Sequence, residues 1–198
     1  MKAKFLIIIT AGIFIMTGCT QKKLAEPSFG RMDKTPYEIK ECLNELGSGK
    51  DIKMDKIDKI VVNKSQKKLL AYKSGKVVNE FPISLGKNWN KGTKMEIGDY
   101  RTPEGTYKIV RKKCDDRLYR NLLISYPNSA DIARCKAIGK NPGNLITIHG
   151  QPKWNANGIG DAYTLKHDWT EGCVAVPNAG MKFLWEAIAL GAIVEIHP

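Results

Sequence analysis

Cys173 is the residue whose type and setting point most directly to covalent chemistry. It stands in Thr170-Glu171-Gly172-Cys173-Val174-Ala175-Val176, where a glycine next to the thiol permits a tight approach at the start of a strand. Such a junction exposes a nucleophile and can aim backbone N–H groups at a developing oxyanion. A free thiol titrates at about 8.5 and is mostly protonated at neutral pH, so it needs a base or a positive neighbour. The chain holds three histidines, His149, His167 and His197. His149 closes an apolar stretch and precedes Gly150, which puts its ring at a strand end beside flexible backbone. His167 lies six residues before Cys173 next to Asp168, and His197, second from the end, is most simply structural. By spacing alone, a cysteine with a histidine elsewhere is a weak nucleophile signal. Zinc on His149, His167 and Cys173 lacks a paired-ligand spacing, so neither metal nor other cofactor is expected.

Several elements must position these groups. The chain has 198 residues, enough for one domain with accessories, and its 42% hydrophobic and 26% charged content is that of a globular fold. Ile60–Asn63, Lys68–Lys73, Val77–Ser84 and Thr106–Arg111 favour β structure and are separated by turn signals such as Lys73-Ser74-Gly75-Lys76. Leu145–Ile148 reads as a buried strand ending on His149-Gly150, and Cys173–Val176 as another. Ala130–Ile138 reads as a short helix. Asn178 is expected to cap a helix running through Leu190, stopped by Gly191 and followed by a closing strand Ala192–His197. The fold expected is mainly β, an antiparallel sandwich or barrel with few short helices.

Ahead of it, residues 35–46 place Ile39, Cys42, Leu43 and Leu46 on one helical face, giving a small N-terminal helix. The start of the chain is different. Lys2 and Lys4 precede a thirteen-residue apolar run, Phe5–Thr17, too short for a bilayer span of about 20 residues. A basic start, a short apolar stretch and small residues before Cys19 read as an export signal. Met16-Thr17-Gly18-Cys19 resembles the bacterial lipobox, which implies cleavage before Cys19 and lipid on that residue; a plain secretory signal with a chance cysteine is the other reading. The expected organisation is a lipoprotein signal over 1–18, a tether and short helix over 19–50, and a catalytic domain over 51–198. The implied location is the cell envelope, lipid-anchored and periplasm-facing.

The formal charge is +12. The basic residues are spread along the chain without the single run or aromatic interleaving of a nucleic-acid groove, so no nucleic-acid partner is expected. An exported, diffusely positive protein suits an anionic envelope or a merely solvated surface. Export also permits disulfides among Cys42, Cys114 and Cys135. Cys114 with Cys135 is plausible, and Cys42 pairing with either is the alternative.

The ordered set His149-Gly150, Thr170-x-Gly172-Cys173-Val174 and Asn178, with Gly98-Asp99-Tyr100-Arg101-Thr102-Pro103-Glu104-Gly105-Thr106-Tyr107 and Phe81-Pro82-Ile83-Ser84-Leu85-Gly86 upstream, resembles the L,D-transpeptidase catalytic domain, the YkuD family. The resemblance covers roughly residues 56–198. It implies Cys173 as nucleophile, His149 as base, and Gly172 with the Cys173 backbone at the oxyanion region. Thr170 and Asn178 match family positions near the substrate. Three departures accompany it: Glu171 stands where the family commonly has His, Ala175 where it commonly has Arg, and the interval from His149 to Cys173 is long. Arg101, Lys153 or Lys166 is a candidate replacement for the charge missing at Ala175. The enlarged loop with Trp154, Tyr163 and Trp169 reads as a lid over substrate, with packing as the plainer role.

Asp168-Trp169-Thr170-x-Gly-Cys-Val-Ala-Val is similar to the YafK-like branch of that family. The resemblance implies acyl transfer on peptidoglycan stem peptides through a cysteine thioester, forming cross-links or attaching amines. The alternative is a hydrolase of the same site, cutting stem peptides or releasing a wall-attached lipoprotein. A non-catalytic peptidoglycan-binding lipoprotein is a third reading, and no papain-type or caspase-type signature supports a general cysteine protease.

Overall fold

The computed structural model describes residues 39–47 and 57–198. The export signal, lipobox cysteine and tether expected from sequence lie outside the described residues, as does most of the 19–50 segment. The chain folds into eight strands in one curled sheet with the order β3-β2-β1-β8-β4-β5-β6-β7. The elements are α1 (Ile39–Gly47), β1 (Ile57–Asn63), β2 (Lys68–Lys73), β3 (Lys76–Pro82), β4 (Gly105–Asp115), β5 (Tyr119–Ile124), α2 (Ser129–Ala137), β6 (Thr147–His149), α3 (Asp161–Thr164), β7 (Val174–Ala175), α4 (Asn178–Ala187) and β8 (Ile188–His197). The fold is mainly β with few short helices.

The β2–β3 hairpin turns through Ser74 and Gly75, both at positive φ (48° and 76°). Two left-handed residues in a two-residue loop match the right-handed twist of the flanking strands, and Gly75 meets this without a Cβ penalty. β1 and β8 pair in parallel at the centre, with Ile60 opposite Val194 and Val62 opposite Ile196. All four side chains are buried. β8 continues antiparallel onto β4, which pairs with β5, and β5 pairs with β6. This chain of ladders carries the core from the middle of the sheet to the strand that ends on His149. Ile109, Leu122, Ile148 and Val174, one residue from each of four successive strands, are at most 1% exposed.

Several assignments differ from the sequence reading. The last helix stops at Ala187 rather than Leu190, and β8 starts at once at Ile188; Gly191, at φ 85°, lies inside that strand. Ile188 and Ala192 are buried and gain more in the sheet than in another helical turn. Pro177 occupies the N-cap position of α4, and the Asn178 side chain bonds the Gln151 N–H and the Ala156 carbonyl. β5 carries no clean alternation of polar and apolar residues because Arg120 and Asn121 are buried beside Leu122. That pattern hides it from a period-two reading.

The disulfide joins Cys42 to Cys114, so α1 is stapled to β4. Cys135 is a buried free thiol on α2 and does not reach Cys114. The staple has company, since Glu45 on α1 accepts from the Arg120 guanidinium at 2.8 Å and Cys114 pairs with Arg120 across β4–β5. No described helix is long and apolar enough to cross a membrane.

Candidate active site

β6 and β7 run parallel, with Ile148 opposite Val174 and His149 opposite Ala175. Cys173 immediately precedes β7, which sets it beside Thr147. Side chains two apart on a strand share a face, so Thr147 and His149 both look toward the thiol. The Thr147 N–H donates to Cys173 Sγ at 3.4 Å, and its hydroxyl lies 3.6 Å from the same sulfur. The thiol itself faces the Leu145 carbonyl at 3.8 Å. Leu145 is held at φ 61°, a left-handed backbone unusual for a leucine.

His149 is 2% exposed. Its Nδ1 lies 2.7 Å from the Gly150 carbonyl, which can only accept, so Nδ1 carries the proton and Nε2 is left to act as base. Trp169 packs edge-on against the imidazole, with ring centroids 5.5 Å apart. Burial on its own would push the Cys173 thiol up. The hydrogen bond to His149 and the charge of its imidazolium outweigh that, and the Thr147 N–H and hydroxyl add to them, so the thiol is held below its ordinary range. An adjacent base with a depressed thiol is the arrangement that nucleophilic catalysis requires.

The turn before Cys173 is built by Thr170. Its hydroxyl donates to the Cys173 carbonyl at 2.7 Å and accepts from the Gly172 N–H at 3.2 Å. Thr170 is buried, and its backbone bonds to Leu85 and Lys87 tie the turn to the chain after β3. Gly172 adopts φ 130°, and a Cβ there would stand 2.7 Å from the Arg101 carbonyl. The Gly172 N–H is thus spent on Thr170 rather than aimed at an oxyanion, a change from the role expected of it.

Asn178 braces the other side. Its Oδ1 accepts from the Gln151 N–H at 2.8 Å and its Nδ2 donates to the Ala156 carbonyl at 2.9 Å, fixing the chain that leaves His149. The long segment after Gln151 is packed rather than suspended. Asn155 donates to Asp161 at 2.7 Å, the Ser84 hydroxyl to the Thr164 carbonyl at 2.6 Å, and Trp154 stacks edge-on with Tyr163.

A cavity of about 320 Å³ opens at the thiol, lined by Lys94, Ile97, Gly98, Tyr100, Gly143, Asn144, Leu145, Ile146, Glu171 and Cys173. No residue of 151–168 lines it, so the lid expected of Trp154 and Tyr163 is replaced by packing. Arg101 and Trp169 do not line it either; the Arg101 guanidinium turns to the Thr93 carbonyl at 3.5 Å. His167 is exposed against Tyr163, and His197 is paired with Glu195 far from the thiol in the sequence of strands. Sequence reasoning passed over Thr147, Leu145 and Lys94. Only Thr147 carried a signal, since it sits two before His149 and must share its face.

Asp99 organises the cavity wall. Its carboxylate takes the Lys94 ammonium at 2.7 Å and the N–H groups of Met95, Glu96 and Arg101. Burial pushes its pKa up, but these donors, Lys94 foremost, hold it below the ordinary carboxylate value.

This fold is that of a known family. The family model of the YkuD L,D-transpeptidase catalytic domain matches residues 57–196, and the chain belongs to that family. Among relatives, the L,D-transpeptidase-type protein YafK of Escherichia coli (strain K12) is 30% identical over 109 residues, which cover 54% of this chain and 35% of YafK. Among solved structures, the helical cell shape determining protein Pgp2 of Campylobacter jejuni is 27% identical with a TM-score of 0.53, covering 81% of this chain and 55% of that one. Bd1075 of Bdellovibrio bacteriovorus is 27% identical with a TM-score of 0.50, covering 70% and 46%. The chain therefore spans only about a third to a half of the length of these proteins.

Proposed function

We propose that this protein is a peptidoglycan L,D-transpeptidase that works through a thioester on Cys173. The observation that carries this reading is the thiol held below its ordinary pKa between His149 and Thr147 at the mouth of a cavity. His149 Nε2 takes the thiol proton, and the thiolate attacks the carbonyl carbon of the third stem residue. The resulting oxyanion is stabilised by backbone N–H groups, for which the Cys173 N–H is the candidate, because that of Gly172 is engaged. Collapse breaks the peptide bond to the terminal D-alanine, whose nitrogen receives the proton from His149. An incoming amine then attacks the thioester, His149 accepts its proton, and the thiolate leaves. Water in place of the amine gives net hydrolysis by the same steps, the fate that the YafK-like motif also allows.

The setting of this chemistry is part of the proposal. Lipid on Cys19 would hold the protein at an envelope membrane within reach of stem peptides, and a wall-attached lipoprotein is a candidate second substrate. The test is mass spectrometry of tetrapeptide-stem muropeptides incubated with the full chain and a free D-amino acid. Exchange of the terminal D-alanine or a cross-linked dimer supports transpeptidation. Tripeptide release without exchange assigns the protein to the hydrolytic fate, and no change to any stem contradicts the proposal.

A further inference from the structure

Glu171 is exposed, lines the cavity beside Cys173, and has no hydrogen-bond or ion-pair partner among the described residues. Lys94, the other Lys, Arg, Asp or Glu side chain lining the cavity, is balanced. Lys94 is buried against Asp99 at 2.7 Å, and Lys140, outside the lining, pairs with Glu96 at 2.8 Å. Cys173 and His149 together are neutral whether the proton sits on sulfur or on nitrogen. Lys87 lies over the Tyr100 ring, 5.4 Å from its centroid, and Arg101 turns to Thr93; neither lines the cavity. In a chain of net charge +12, the uncompensated charge on the wall of the catalytic cavity is negative.

Resting on the acyl-transfer reading, we infer that Glu171 is a specificity-determining residue that selects stem peptides carrying a free side-chain ammonium next to the scissile carbonyl. A carboxylate at a partly enclosed wall attracts a nearby cation and repels an anion, and water around it screens the effect. No unpaired cation lines the cavity to read a substrate carboxylate in the same way. On a third stem residue such as meso-diaminopimelate, whose side chain carries both an ammonium and a carboxylate, the ammonium therefore decides the preference. An ammonium already acylated, as in a cross-linked stem, offers no charge to Glu171, so unlinked stems are preferred donors. The thioester stage keeps this selectivity, because acylation neutralises Cys173 and leaves Glu171 as it was.

The experiment compares kcat/KM of the full chain on two tetrapeptide stems, one with the side-chain ammonium free and one with it acetylated, and on a third whose side-chain carboxylate is amidated. The free ammonium is expected to be preferred about fivefold, the upper end for an ion pair open to solvent. Amidation of the carboxylate is expected to change little. Glu171→Gln brings the ratio toward one, and Glu171→Asp retains part of it. Binding of the same peptides to the Cys173→Ala chain, followed by calorimetry, reads the preference without turnover. If that chain discriminates through Glu171 while the wild type turns over nothing, the inference stands and the acyl-transfer reading falls. A ratio near one in the wild type, or a ratio unchanged by Glu171→Gln, overturns the inference.

Discussion

Asn121 and His149 sit directly opposite each other across the β5–β6 ladder, so His149 is placed by the same strand that carries the buried Arg120. The Gly150 N–H donates to the Arg120 carbonyl, and Arg120 reaches back to Glu45 on α1. The disulfide-stapled helix α1 is thereby connected, through one strand, to His149.

The depressed thiol has a consequence for reactivity. Alkylation of Cys173 by iodoacetamide should remain fast at pH values where an ordinary thiol has lost its thiolate, with the midpoint of its pH profile below the usual thiol range. His149→Gln removes the largest favourable influence and leaves the burial, so the midpoint moves up. Among the described residues the labelling reads one site, because Cys42 and Cys114 are joined and Cys135 is buried, and peptide mapping separates that site from Cys19.

Gly172→Ala should damage both stability and activity. Its φ of 130° is a region that side chains avoid, and the new Cβ meets the Arg101 carbonyl, a backbone atom that cannot swing aside. A loss of about 1–3 kcal/mol is expected in urea denaturation. Stem-peptide turnover should fall further, since the turn positions Cys173 itself.

Asn178→Ala removes the bonds to Gln151 and Ala156 and should lower kcat much more than it raises KM. Asn178 does not line the cavity, so a steady KM with a reduced kcat marks it as a positioning residue. Asn178→Asp keeps an acceptor for the Gln151 N–H and should recover part of the rate.

Replacing Cys42 and Cys114 by serine should lower the urea midpoint. The cross-link spans 72 residues, for which the loop-entropy account gives about 4 kcal/mol. The loss is expected to be smaller than this where Glu45–Arg120 keeps α1 docked.

Much of the site was legible because its residues are fixed by local chemistry. Gly172 before Cys173 and Gly150 after His149 mark turns that few other residues tolerate. The same pattern reading misassigned Asn178, whose preference for helix N-caps is real but is here overruled by Pro177 at that position. β5 was missed for a related reason: Arg120 and Asn121 are buried through an ion pair and a bond to Asp115, contacts that depend on distant residues. The lid expected of Trp154 and Tyr163 failed likewise, since only the fold shows that these rings pack on each other.

The measurement closest to the central claim is intact-protein mass spectrometry of the full chain, quenched in acid shortly after mixing with a tetrapeptide stem. The account predicts an added acyl tripeptide mass that maps to Cys173, is removed by hydroxylamine, and is absent from Cys173→Ala. Turnover of the stem by Cys173→Ala, or an adduct that maps to another residue, would contradict it.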